Sequence, residues 1–138
     1  MSDCCDGGGN ILLLACSGGS NVGQIANEAA KALDRLGQGR MGCAIGVGAQ
    51  LPKFVEAARD SVCVALDGCP TACVAQALRN AGVEPALSVV VTELGIEKAH
   101  NFDFTLDQVA EVAGAVAAEL EALTGGAGEC GCGCGCEA

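Results

Sequence analysis

The sequence is nearly devoid of aromatic residues, with three Phe and neither Trp nor Tyr among its 138 residues. Hydrophobic residues still make up 51% of the chain, so the core must consist of Ala, Val, Leu and Ile. Such an aliphatic core allows helices to pack closely against a sheet. The length predicts one domain, and this hydrophobic content is sufficient for a core that does not depend on disulfides or metal.

Positive charge is also scarce. Seven Lys and Arg stand against 17 Asp and Glu, which gives a formal net charge of −10. This balance argues against nucleic acid and anionic membranes as partners, because contacts to phosphate need clustered Lys and Arg. It is compatible with thiophilic metal ions, which we expect as partners. The sequence identifies no protein partner.

The sequence also lacks a long apolar run and a recognisable leader. No run is long enough to cross a membrane, and the acidic N-terminus, residues 1–6 (MSDCCD), does not resemble a signal peptide. Both observations predict a cytoplasmic location, where thiols stay reduced. The eleven Cys are therefore expected to be available for metal or redox chemistry, and their odd number argues against a purely disulfide role.

Phosphate-binding fingerprints are missing as well. A Gly/Ser loop, residues 17–21, follows a predicted strand and precedes a predicted helix, which is the layout of an anion cradle. The loop contains neither a Walker pattern nor the three spaced glycines of dinucleotide-binding proteins. A Cys-centred phosphatase loop would need Arg six residues after Cys16, where Val22 stands, so the sequence does not favour phosphate chemistry.

The sequence does contain four strand–helix repeats. Continuous apolar segments predict strands over residues 11–15, 41–45, 61–66 and 86–91, and helical spacing predicts helices over 22–36, 52–59, 70–81 and 105–123. The last helix opens on a capping box and carries an apolar stripe from Leu106 to Leu123. This alternation predicts a single three-layer α/β domain over residues 10–124, with a mainly parallel four-stranded sheet in the flavodoxin-like order 2-1-3-4. Residues 1–9 are predicted to be a disordered N-terminus, and residues 125–138 a flexible tail.

Cysteines stand near the predicted carboxyl ends of three strands. Cys16, Cys43 and Cys69 follow or end these strands, and Cys73 is four residues after Cys69. A helix beginning near Pro70 would place Cys69 and Cys73 on one face of its first turn, where the helix N-terminus favours thiolate. Ligand crevices lie at this edge of such sheets. Four converging thiols match the ligand count of a structural zinc site.

Other interpretations of the same thiols stay open. An iron–sulfur cluster also uses four thiolates, and a redox or sulfur-transfer site would use Cys69 as attacker and Cys73 as resolver. Asp67 either accepts a hydrogen bond behind the metal ligands or orients a bound water, or it is a turn residue that caps the next helix. His100, the single His, is either exposed or supports the ligands from behind. No catalytic triad or acid–base pair is recognisable, so whether the protein is an enzyme is left undecided.

Two further cysteine groups flank the predicted domain. The tail alternates Gly with Cys130, Cys132, Cys134 and Cys136, a low-complexity pattern that cannot form a core. Its thiols favour soft metals and, being tethered, would stay concentrated near the domain. We expect the tail to recruit or buffer thiophilic metal; arsenic or mercury detoxification is an alternative. The vicinal pair at residues 4–5 is either an auxiliary ligand or incidental.

Four segments resemble the DGC-domain family: residues 16–24 (CSGGSNVGQ), the Cys43 segment through Gly48, the Asp67-Gly68-Cys69-Pro70 motif with Cys73, and residues 94–96 (LGI). They occur in the same order as in the family and cover residues 10–104. Members are bacterial and archaeal proteins usually labelled zinc-binding. The resemblance implies that Cys16, Cys43, Cys69 and Cys73 are zinc ligands. The resemblance does not identify a reaction, and it does not include the tail, residues 125–138.

Overall fold

The computed structural model describes residues 10–124. The segments predicted to be flexible, residues 1–9 and 125–138, lie outside this range. Within it, the strands are β1 (Ile11–Ala15), β2 (Arg40–Met41), β3 (Val62–Asp67) and β4 (Leu87–Val90). The helices are α1 (Asn21–Arg35), α2 (Ala44–Gly48), α3 (Pro52–Arg59), α4 (Cys73–Asn80) and α5 (Leu106–Thr124), and a 3-10 turn spans Val91–Leu94.

The four strands form one parallel sheet in the order β2-β1-β3-β4. Since β1 is followed by β2 on one side and the chain then returns to β3 on the other, the topological switch point lies between β1 and β3. The predicted fold class and strand order are confirmed. Crevices at a switch point open beyond the carboxyl ends of the strands. Cys16 and Cys69 follow β1 and β3, the two strands that border this switch point, so both lie at the edge of the sheet where such a crevice opens.

Helices cover both faces of the sheet. On one face, Leu13 and Leu66 pack against α1 and α5. On the other, Leu14 and Ala65 pack against α2, α3 and α4. Small residues of α1, notably Ala26 and Ala29, are fully buried, which allows the close helix packing expected of an aliphatic core. Among residues 10–124, no helix combines the length and apolarity needed to span a membrane.

Local hydrogen bonds and backbone geometry define the ends of α1 and the start of α5, where the predicted capping box is confirmed. Ser20 caps α1 by accepting a hydrogen bond from the Gly23 N–H at 3.1 Å. Gly37 ends that helix with a φ of +78°, a conformation that glycine adopts without steric cost. Thr105 and Gln108 exchange the two hydrogen bonds of a capping box.

Three local predictions are wrong. The second strand stops at Met41, and Cys43 caps a short helix instead of extending the strand. The helix predicted from Pro70 begins at Cys73, because Ala72 adopts a left-handed conformation with φ of +52°. Cys69 therefore lies in the loop before α4, and it does not share a helical face with Cys73. The two ends of the α5 stripe are exposed, Leu106 at 81% and Leu123 at 44%.

Candidate thiol site at the carboxyl edge of the sheet

The loops after β1 and β3 meet the start of α1. The Cys16 N–H donates to the Leu66 carbonyl at 2.9 Å, which ties the end of β1 to the end of β3. A Cβ added to Gly68 would lie 2.8 Å from the Gly23 nitrogen, and one added to Gly23 would lie 2.9 Å from the Gly18 nitrogen and 3.3 Å from Cys16 Sγ. Only glycine fits at these two positions, so the β3 loop, the first turn of α1 and the Cys16 thiol are in close contact.

Cys16 is half-buried at this junction. Its Sγ accepts a hydrogen bond from the Gly18 N–H at 3.3 Å. Its side chain packs against the hydrophobic clusters on both faces of the sheet. The thiol therefore lies at the carboxyl end of the sheet. Cys16 directly follows β1, as the sequence predicts.

Cys69 is half-buried and lies beside a cation. The Lys98 ammonium donates to Cys69 Sγ at 3.5 Å. The pKa of the Cys69 thiol is lowered mainly by hydrogen bonds from the side chain and backbone of Thr71. Burial of the thiol opposes this effect, and the nearby Lys98 lowers the pKa further. Stabilised thiolates are better nucleophiles and metal ligands than thiols at neutral pH.

Asn21 holds Lys98 in this position. Its side-chain amide donates to the Glu97 carbonyl at 2.9 Å and accepts from the Ala99 N–H at 2.7 Å. Its own N–H donates to the Ala99 carbonyl at 3.2 Å. These bonds flank Lys98 on both sides and fix its segment against the start of α1. Sequence reasoning missed Asn21 and Lys98, since no local pattern links them to Cys69.

Cys43 and Cys73 are both exposed and stand at the starts of two helices. Cys43 Sγ accepts a hydrogen bond from the Gly46 N–H at 3.3 Å and so caps α2. Cys73 is the first residue of α4. Both thiols are thus at helix N-termini next to the carboxyl ends of β2 and β3.

The Asp67 carboxylate is 1% exposed and caps α4. It accepts hydrogen bonds from the N–H groups of Val74 at 2.8 Å and Ala75 at 3.1 Å. Burial raises the pKa of Asp67, and these two hydrogen bonds offset part of that rise. The interpretation of Asp67 as a helix cap is confirmed. That Asp67 also supports the metal ligands or orients a bound water stays a prediction.

His100 and Cys63 lie in contrasting environments. His100 is exposed in the segment that follows Lys98. Cys63 is a buried core residue whose thiol donates to the Ala58 carbonyl at 3.2 Å, and burial raises its pKa. Cys63 therefore has the environment expected of an inert thiol.

The four candidate ligands share one edge of the sheet but do not form a ready-made cage. Within residues 10–124, no group of three or more His, Cys, Asp or Glu side chains is close enough to hold a metal ion. Cys130, Cys132, Cys134 and Cys136, and the pair at residues 4–5, lie outside the described residues. The arrangement offers a thiol of lowered pKa at Cys69, a second thiol at Cys16, and two exposed thiols at the starts of α2 and α4.

Comparisons with known proteins agree with the motifs. The family model described as DGC domain matches residues 12–116. The "Anaerobic and virulence modulator AnvM" of Pseudomonas aeruginosa is 43% identical over 93 residues, which are 67% of this chain and 71% of that protein. No solved structure matches the chain at a significant level.

Proposed function

This chain belongs to the DGC domain family, and from that premise we propose that it binds a thiophilic metal ion, zinc in the first instance, through Cys16, Cys43, Cys69 and Cys73. One observation carries the proposal. Cys16, Cys43 and Cys69 follow the carboxyl ends of three adjacent parallel strands, and Cys73 begins the helix that Asp67 attaches to the end of β3. All four thiols therefore lie at the same edge of the sheet.

The donor set fits zinc in chemistry and in number. Four thiolates at about 2.3 Å form a closed structural site. Since no three-ligand group is assembled in residues 10–124, ligation requires the segments that carry the four thiols to move closer together. The Cys43 and Cys73 side chains are exposed, so they can be reoriented without opening the core. Coupling of metal binding to such local ordering is a general property of metal sites.

The residues around the thiols have separate roles in this proposal. Thr71 and Lys98 favour the deprotonated form of Cys69 that a metal requires. Asp67 fixes the first turn of α4 and hence the backbone of Cys73. His100, on the segment carrying Lys98, is a candidate hydrogen-bond donor to the cysteine ligands. Bound zinc would supply a structural cross-link between loops.

The Gly-Cys tail has an accessory role in the proposal. Cys130, Cys132, Cys134 and Cys136 would recruit or buffer thiophilic metal and exchange it with the domain. The proposal includes a cytoplasmic location, where these thiols stay reduced.

A reactive Cys69 is the second candidate function. The observation that favours it is the pairing of a half-buried thiol with the Lys98 ammonium at 3.5 Å. This thiol could serve in redox or sulfur-transfer chemistry, with Cys73 as the resolving thiol after a movement of the loop. An iron–sulfur cluster on the same four thiolates, and selective arsenic or mercury binding by the tail, are the remaining alternatives.

Titration with cobalt(II) tests the leading proposal directly, because the intensity of thiolate-to-cobalt absorption increases with the number of bound thiolates. We expect one tight site per chain after removal of the tail, and weaker absorption in each of the variants Cys16→Ser, Cys43→Ser, Cys69→Ser and Cys73→Ser. Cys63→Ala is the matched control, since that thiol is in the core. Equal loss in the Cys63 variant, or no site without the tail, would contradict the proposal.

A further inference from the structure

A cavity of about 380 Å³ lies beside β2, at the edge of the sheet. β2 contains only Arg40 and Met41, which pair with Leu12 and Leu13 of β1. The sheet edge therefore ends early, and the space next to it is bounded by α2 and α3. This volume lies within the range of about 300–1,000 Å³ that is usual for small-molecule pockets.

The walls of the cavity are mainly aliphatic and aromatic. The apolar side chains that line it are Leu12, Leu14, Met41, Val47, Phe54 and Ala57. Two glycines allow these walls to pack. A Cβ at Gly46 would lie 2.5 Å from the Phe54 ring, and one at Gly42 would lie 2.8 Å from Leu12 Cδ1. The ring and the leucine therefore lie directly against backbone.

The charges at this cavity are all positive. Arg40 and Lys53 line it, and no Asp or Glu among the described residues does so. These are two of only seven Lys and Arg in a chain of net charge −10. Between residues 10 and 124, the ion pairs are Lys31–Glu28 and Arg79–Glu84, so no described carboxylate neutralises Arg40 or Lys53. The Lys53 ammonium lies 5.7 Å from the centre of the Phe54 ring.

We propose that this cavity binds a small organic acid, with its carboxylate on Arg40 and Lys53 and its apolar body against Leu12, Leu14 and Phe54. An acidic protein repels anions at long range, so an apolar cavity whose described lining contains two cations and no carboxylate is a local feature that matches such a ligand. The guanidinium provides the fork that a carboxylate accepts in two parallel hydrogen bonds. The inference does not depend on metal binding, although Cys43 also lines the cavity.

Octanoate is the probe, added to the full-length protein and followed by NMR of Leu and Val methyl groups. We expect saturable shifts of the Leu12, Leu14 and Val47 methyls, and at least tenfold weaker binding of 1-octanol, which has the same chain without the charge. The double variant Arg40→Gln/Lys53→Gln should lose at least tenfold in affinity. Arg35→Gln, an exposed cation outside the cavity, is the matched control.

The outcome that would overturn the inference is equal binding of octanoate and 1-octanol, no shift of the three methyls, or equal loss in the Arg35 variant. A second readout does not require any substitution. Bound octanoate should slow alkylation of Cys43 several-fold, measured by mass spectrometry of its peptide, and leave Cys73 unchanged, because Cys73 is exposed outside the cavity. An unchanged rate at Cys43 under saturating octanoate would contradict the proposed location.

Discussion

Asn21 and Ala99, 78 residues apart, hold each other by two hydrogen bonds. The Ala99 N–H donates to Asn21 Oδ1 at 2.7 Å, and the Asn21 N–H donates to the Ala99 carbonyl at 3.2 Å. A third bond joins the Asn21 amide to the Glu97 carbonyl. This clamp brings Lys98 next to Cys69, so the start of α1 adds a cation to the surroundings of a thiol in the loop after β3.

Replacing Asn21 by Ala should loosen this clamp. The side chain is 7% exposed, and its removal leaves the Ala99 N–H and the Glu97 carbonyl without their partners, at a cost of about 1–3 kcal/mol of unfolding free energy. Urea denaturation measures this change. Asn27→Ala, on the same helix, is the control and should change stability by less than about 0.5 kcal/mol. Equal effects of the two substitutions would argue against the clamp.

Cys69 should react with iodoacetamide at a lower pH than an ordinary thiol. Hydrogen bonds from Thr71 are the main cause that lowers its pKa, and Lys98 adds to them, so the reactive thiolate is already formed at a pH where a free Cys is still protonated. Thr71→Val and Lys98→Met should both move the midpoint of the rate–pH profile upward, and Thr71→Val should move it further.

Mass spectrometry of the Cys69 peptide at a series of pH values measures this profile. Lys31→Met is the matched control, because Lys31 pairs with Glu28 on α1 and should leave the midpoint unchanged. A profile that moves in neither the Thr71 nor the Lys98 variant would show that these groups do not stabilise the thiolate.

Two glycine substitutions should have opposite effects on stability. A Cβ at Gly68 would lie 2.8 Å from the Gly23 nitrogen, so Gly68→Ala forces the β3 loop away from α1 and should cost about 1–3 kcal/mol. Gly114 is exposed within α5 and nothing described lies within 4 Å of an added Cβ. Gly114→Ala should therefore stabilise the helix by about 0.5–1 kcal/mol.

Thermal unfolding of the two variants tests this contrast. A lower melting temperature for Gly68→Ala and a higher one for Gly114→Ala are expected. If Gly68→Ala melted at the wild-type temperature, the close approach between the β3 loop and α1 would not be present in solution.

The overall fold could be predicted from the sequence because its signals are local. Ile11–Ala15 is a continuous apolar run, Gly37 ends a helix, and Thr105 with Gln108 forms a capping box. Each feature can be recognised within a few residues. The alternation of strands and helices then restricts the topology to a parallel sheet.

The wrong predictions concern positions where distant residues decide the local structure. Cys43 continues an apolar segment, yet the chain turns there because its Sγ caps α2 and Gly42 lies against Leu12. Pro70 is a good helix start in isolation. The Asp67 carboxylate instead fixes the start of α4 at Cys73, because it accepts hydrogen bonds from the N–H groups of Val74 and Ala75 in the first turn of that helix.

The candidate site was predictable only in part for the same reason. The positions of Cys16 and Cys69 follow from the strand pattern and the switch point. The proximity of Lys98 to Cys69 depends on a pairing across 29 residues and on the Asn21 clamp. No periodicity or motif in a single sequence carries such information.

The most direct test of the central claim is the metal content of the chain truncated after Thr124, purified without oxygen and analysed by elemental analysis with an absorption spectrum. The proposal predicts one zinc per colourless chain, lost in Cys16→Ser and retained in Cys63→Ala. A brown protein that contains iron and sulfide would show that the site holds an iron–sulfur cluster and not zinc. A truncated chain that holds no metal, while the full-length chain does, would contradict a metal site in the domain.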